Sequence, residues 1–168
     1  MTKLSDTAER SAGAFMASPR LASNLQQVLV DLIALHLQGK QAHWNVVGHN
    51  FRDLHLQLDE IVDAARDATD TLAERMRALG ASPDGRVPTV AATASLSPLP
   101  AGELASSEVV DLITGSLHTA VGTIRQVHDE VDADDPSTSD LLHAIVDSLE
   151  KQAWMLSAEN RVPQHRAL

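Results

Sequence analysis

The 168-residue sequence has no cysteine and no tyrosine, and its aromatic content is only 2%. Without cysteine there is no disulfide framework and no thiolate metal site. So few aromatics, set against abundant Ala and Leu, favour helices over pleated sheets. No apolar run approaches the ~20 residues needed to cross a bilayer. The N-terminus also lacks the basic-then-apolar pattern of a secretory signal. The sequence therefore reads as cytoplasmic, with no membrane partner. Positive charge is scarce too: 13 Lys and Arg face 23 Asp and Glu, for a net charge of −10. Such a chain repels nucleic acid and anionic membranes overall and attracts cations. What it has is 43% hydrophobic residues, enough at this length for one globular domain with a real core.

The informative stretch runs from His43 to Glu74. It holds two histidines, His43 and His55, and the carboxylates Asp59, Asp70 and Glu74. Nitrogen and oxygen donors of this mix suit iron, manganese or zinc rather than soft copper(I). Read as one helix, residues 51–79 carry an apolar stripe of Leu54, Leu58, Ile61, Ala65, Ala68, Leu72, Met76 and Leu79. His55, Asp59, Arg66, Asp70 and Glu74 form a second stripe, roughly 150° away around the helix. The donors therefore face away from the chain's own core. They are also too far apart for one ion: His55/Asp59 and Asp70/Glu74 are separated by roughly 22 Å along the axis. Two copies of this helix, antiparallel across a two-fold axis near Ala64 and Ala65, resolve both points. His55 and Asp59 of one copy then meet Asp70 and Glu74 of the other, and each dimer carries two sites. The plainer alternative is a solvated face with charges at i,i+4. Paired donors at that spacing, with His43 arriving from the preceding helix, favour the metal.

The remaining pattern predicts an all-α bundle. Residues 1–17 read as a flexible tail, 18–161 as the helical domain and 162–168 as a short C-terminal tail. Ser18 caps a first helix, about Pro19 to Val47, with Leu21, Leu25, Val28, Leu32, Leu35, Gly39, His43 and Val46 facing in and Gly48 ending it. His36 lies beside that stripe and reads as a packed or partly exposed histidine. The second helix, about Phe51 to Leu79, ends on Arg75, Arg77 and Gly80. Residues 80–105, rich in Pro, Gly, Ser and Thr, suit a crossover along the bundle with one short helix in it. A third helix, about Ser106 to Val131, turns at Asp132–Pro136 into a fourth, about Ser137 to Arg161, with Asp135 as its cap. Four helices with one long crossover between the second and third describe a ferritin-like bundle. Internal di-iron sites in such bundles use Glu-x-x-His, and no Glu here has His three residues on. That absence agrees with the outward-facing stripe.

The segment KQAHWNVVGHNFRDLHLQLDE, followed by DTLAERM, resembles the signature of the Dps family, the DNA-binding proteins from starved cells. The similarity runs from about Leu25 to Trp154 and includes KQAWML near the end. It implies twelve subunits in a hollow dodecameric shell. Ferrous iron would be oxidised across two-fold interfaces, usually by hydrogen peroxide rather than O2, and stored as ferric mineral. By position, His43, His55 and Asp59 would come from one subunit and Asp70 and Glu74 from its neighbour, as catalytic metal ligands. Trp44 and Trp154 match tryptophans near the site, although interface packing accounts for them equally well. Asp134, Asp135 and Asp140 fall where the family has acidic three-fold pores for iron, with helix capping as their plainer role. His49, His118, His128, His143 and His165 show no ligand spacing.

Three functions compete. The first is a ferroxidase and iron store that protects DNA from oxidative damage. The second is a DNA-compacting nucleoid protein with secondary metal binding. The third is a bundle that binds zinc or manganese without redox chemistry. DNA binding needs Lys and Arg against phosphates. Residues 1–17 are net neutral, the C-terminal end offers only Arg161 and Arg166, and twelve copies at −10 would carry 12 × −10 = −120. Any DNA binding through the tails should be weak at physiological salt.

Overall fold

Ser18 and Pro19 start the first helix as the sequence leads one to expect. The Ser18 hydroxyl accepts from the Leu21 N–H at 3.0 Å and donates to Asp134 at 2.8 Å, so one side chain caps a helix and ties it to the far end of another. The computed structural model describes residues 15–163. Most of the two expected tails, and His165, fall outside those residues. The N-terminal segment is already fastened at Ala17, whose N–H bonds to the Leu79 carbonyl at 2.9 Å.

The elements are α1 (Pro19–Asn45), β1 (Val46–Val47), α2 (Phe51–Ala78), α3 (Val87–Thr93), β2 (Leu104–Ala105), α4 (Ser106–Asp134) and α5 (Pro136–Ser157), then one 3₁₀ turn, Ala158–Asn160. The four long helices form the bundle. α1 packs along α2 and α4, and α5 along α4 and α2. The short helix α3 lies in the crossover, against α1. Every inner-stripe apolar residue named from the sequence is buried, because each helix carries one stripe at i, i+3, i+4 spacing and can bury it only between the others.

α5 ends at Ser157 rather than Arg161 and passes into the 3₁₀ turn, and the boundaries differ at two further places. α1 ends at Asn45 rather than Val47. Val46 and Val47 instead form a short parallel ladder with Leu104 and Ala105, which fastens the end of the crossover to the end of α1. β-branched residues suit that extended form. Gly48, at φ +118°, and Asn50, at φ 57°, then turn the chain into α2. α4 also continues past Val131 to Asp134, so the break before α5 is a single residue, Asp135, at φ −152° and ψ 89°. A residue before proline is driven out of the helical region, and here Pro136 acts on Asp135 alone.

Candidate metal centre

His43 sits in the last turn of α1, on its buried stripe, while His55 and Asp59 lie one turn apart on α2. The α1–α2 packing brings the three together: one donor atom from each lies within 4.8 Å of the others. The two imidazoles stack, with ring centroids 3.6 Å apart and planes at 27°. Phe51 stands beside His55, with ring centroids 5.2 Å apart and planes tilted by 38°.

Hydrogen bonds define which nitrogens are available. His55 Nδ1 lies 3.1 Å from the backbone carbonyl of His43. A carbonyl only accepts, so Nδ1 carries the proton and the Nε2 of the neutral ring keeps its lone pair. His43 Nε2 lies 2.9 Å from Asp59 Oδ2, and its Nδ1 is buried without a hydrogen-bond partner. Burial holds the His43 pKa below the usual histidine value, with His55 and Lys40 acting in the same direction against Asp59. The hydrogen bond from Lys40 holds Asp59 below its ordinary range, and His43 adds to this. Neutral imidazole and ionised carboxylate are the forms that bind a cation. A ring nitrogen of His43, the free His55 Nε2 and the Asp59 carboxylate thus fit a divalent ion such as ferrous iron.

Lys40 was not anticipated. Its Nζ lies 2.5 Å from Asp59 Oδ1, so an ammonium group neutralises the carboxylate that a cation would take. On the sequence it stands three residues before His43, on the next turn of the same helix face. That spacing was the available signal.

Asp70 and Glu74 are exposed on α2 and make no hydrogen bond or ion pair among the described residues. They do not join His43, His55 and Asp59 within this chain, in keeping with the helix rise between them. Several large apolar side chains are exposed, among them Trp44 at 68%, Trp154 at 64%, Phe51 and Leu56; Trp44 adjoins His43 in sequence, and Phe51 packs on His55.

The three aspartates near the α4–α5 break have separate fates. Asp140 is exposed, and Asp134 is exposed but bonded to Ser18. Asp135 is the N-cap residue of α5, as expected, but its side chain is turned inward. It is buried, and its carboxylate accepts from Arg75 Nη2 at 2.7 Å and from the Thr138 hydroxyl. No cap bond runs from its side chain to the backbone of α5; its backbone carbonyl accepts from Thr138 and Ser139 instead. Arg75 therefore already neutralises this carboxylate.

Residues 22–161 match the ferritin-like domain family. DNA protection during starvation protein 2 of Deinococcus radiodurans is 37% identical over 134 residues, which cover 80% of this chain and 56% of that longer one, so the chain spans little more than half of this relative. The DNA protection during starvation protein of Brevibacillus brevis is 36% identical over 80% of this chain and 90% of its own. Among solved structures, Dps from Microbacterium arborescens in the high iron form aligns with a TM-score of 0.78 and 35% identity, over 88% of this chain and 99% of that one. A Dps protein from Bacillus brevis aligns with a TM-score of 0.80 and 33% identity, over 87% and 100%.

Proposed function

The chain belongs to the ferritin-like domain family and, within it, to the Dps proteins, and from that premise we propose that it oxidises ferrous iron at sites shared between subunits and stores the ferric product. The observation that carries this reading is the His43, His55 and Asp59 cluster on an exposed face, with two unpaired carboxylates further along the same helix. Two copies of α2, antiparallel about a two-fold axis, complete each cluster with Asp70 and Glu74 of the second copy. The exposed Trp44, Trp154 and Phe51 would be covered by the same contact. Twelve copies make the closed shell, and no described helix is long and apolar enough to cross a membrane. We place the protein in the cytoplasm.

Iron is the substrate and cargo. Two ferrous ions reduce one hydrogen peroxide, and two waters complete two units of ferric oxyhydroxide with release of four protons. O2 is the alternative oxidant. His55 Nε2 and Asp59 bind the ion, and the incoming charge displaces Lys40 from Asp59. Consuming peroxide together with ferrous iron removes the reactants that form hydroxyl radical, which protects DNA without contacting it. Asp140 and Asp134 are the carboxylates offered to iron passing through the shell.

The test is anaerobic titration with ferrous iron followed by peroxide, with light scattering and electron microscopy on the loaded protein. Particles of about twelve chains with dense cores are expected. A variant with His55→Ala and Asp59→Ala should assemble but oxidise iron poorly. Ferrous binding without oxidation by either oxidant would leave a redox-inert metal protein. DNA compaction as the main role is disfavoured by the net charge of −10; retardation of DNA that survives ~200 mM salt would restore it.

A further inference from the structure

α4 and α5 leave the Asp135–Pro136 break as antiparallel neighbours. His128 stands seven residues before Asp135 (135 − 128) and His143 seven after Pro136 (143 − 136), so the packing brings the two level. Their Nε2 atoms face each other at 2.6 Å. Each ring has a carboxylate on its other side. Asp129 Oδ1 is 3.1 Å from His128 Nδ1, and Asp140 Oδ1 is 3.9 Å from His143 Nδ1. The hydrogen-bonded Asp129 favours the proton on His128 Nδ1 and leaves its Nε2 as the acceptor. The Ser139 hydroxyl, 3.0 Å from His128 Nε2, can satisfy that one ring. Ring nitrogens this close hold either a proton or a metal ion between them.

We propose that His128 and His143 form a second divalent-metal site, suited to an ion of the zinc class. His128, whose far nitrogen meets Asp129, has the carboxylate–histidine–metal arrangement, while Asp140 stands too far from His143 for a direct hydrogen bond. Imidazole without thiolate suits zinc, copper(II), nickel or ferrous iron. Bonds of 2.0–2.1 Å at a tetrahedral angle need the nitrogens about 3.3 Å apart. His143, whose side chain is 61% exposed, can move outward by the difference. The pair lines a cleft of about 200 Å³ open to solvent, where water completes the coordination. Arg125, also on that cleft, is engaged by Glu150 and does not occupy it. The site shares no residue with the α1–α2 centre.

The test is titration of the assembled full-length protein with zinc chloride alone, following zinc bound per chain and its affinity. His143→Gln should remove one zinc per chain and leave the zinc held by His43, His55 and Asp59. Asp129→Asn should weaken the same zinc about 10- to 100-fold without abolishing it. His118→Gln, at another exposed histidine, should change nothing. In nitrogen-15 NMR of the imidazoles, zinc should shift the His128 resonances. Unchanged zinc binding in His143→Gln, an equal loss in His118→Gln, or His128 signals that ignore zinc and report a shared proton would each overturn the proposal.

Discussion

Asp31, only 1% exposed, accepts a 2.6 Å hydrogen bond from the Thr123 hydroxyl across the middle of the bundle. Its other oxygen takes the Ser95 N–H at 2.6 Å. One carboxylate on α1 therefore holds both α4 and the crossover. Asp31→Ala removes the acceptor from the buried Thr123 hydroxyl, which keeps only its longer bond to the Thr119 carbonyl, and from the part-buried Ser95 amide, and should cost about 1–3 kcal/mol. Thr123→Val should cost less, because the carboxylate keeps Ser95. Urea or thermal unfolding at fixed protein concentration orders the two, and equal losses would show that Ser95 contributes nothing.

Gly39 on α1 and Val62 on α2 set how closely those helices approach. A β-carbon on Gly39 would stand 2.9 Å from Val62 Cγ2. Alanine is the better helix former by roughly 1 kcal/mol, so propensity alone predicts a gain from Gly39→Ala. The packing reverses the sign. Val62 is buried, and a β-branched side chain in a helix has essentially one rotamer, so it cannot swing aside. Gly39→Ala should lose about 1–3 kcal/mol, and adding Val62→Ala should return part of that loss in a double-mutant cycle. The same pair of helices carries His43, His55 and Asp59, so iron binding should weaken in Gly39→Ala and recover in the double variant.

Arg75 and Asp135 give a pH dependence of known sign. Burial alone would raise the Asp135 pKa, but the Thr138 hydroxyl and the Arg75 guanidinium overcome it and hold the carboxyl below its ordinary 3.8. A depressed carboxylate pKa stabilises the fold above the unfolded value, and that stability is lost as pH falls through and below 3.8. Arg75→Met leaves the buried charge without its cation, at about 3 kcal/mol near neutrality. In the variant burial acts unopposed by Arg75, so Asp135 takes up a proton more readily. The stability gap between wild type and variant should be smaller at pH 3 than at pH 7. A gap constant across that range would mean the ion pair is not its source.

The helices and their inner faces were legible because each stripe is a local pattern: Leu54 to Leu79 repeats within one element and needs no partner to be recognised. The stripe of His55, Asp59, Asp70 and Glu74 along one outer face of α2 was legible for the same reason. Features fixed by remote partners were not. Val46 and Val47 look like a helix end until Leu104 and Ala105 are beside them. Asp135 looks like an exposed cap until Arg75, from another helix, reaches it. Lys40 reads as a solvated lysine until α2 brings Asp59 against it. His128 and His143 have no common helical spacing, and only the one-residue break between α4 and α5 makes them opposite one another.

Whether the metal centre is shared between chains can be decided by complementation. One variant carries His55→Ala and Asp59→Ala, the other Asp70→Ala and Glu74→Ala. Each alone should form shells with crippled iron oxidation, because every site lacks half its donors. The two are then unfolded together and co-refolded in equal amounts. At an interface between unlike chains, one site combines both defective halves and is dead, while the other combines both intact halves and is whole. Random mixing makes about half of the interfaces unlike, so about a quarter of all sites should recover by two-fold symmetry. A site built within one chain cannot be rescued this way, since no chain in the mixture holds all its donors. Mass spectrometry of the refolded shells establishes that both chains are present. Peroxide-driven oxidation no faster than in either variant alone, in shells proven mixed, would exclude Asp70 and Glu74 of a second copy as partners of His55 and Asp59.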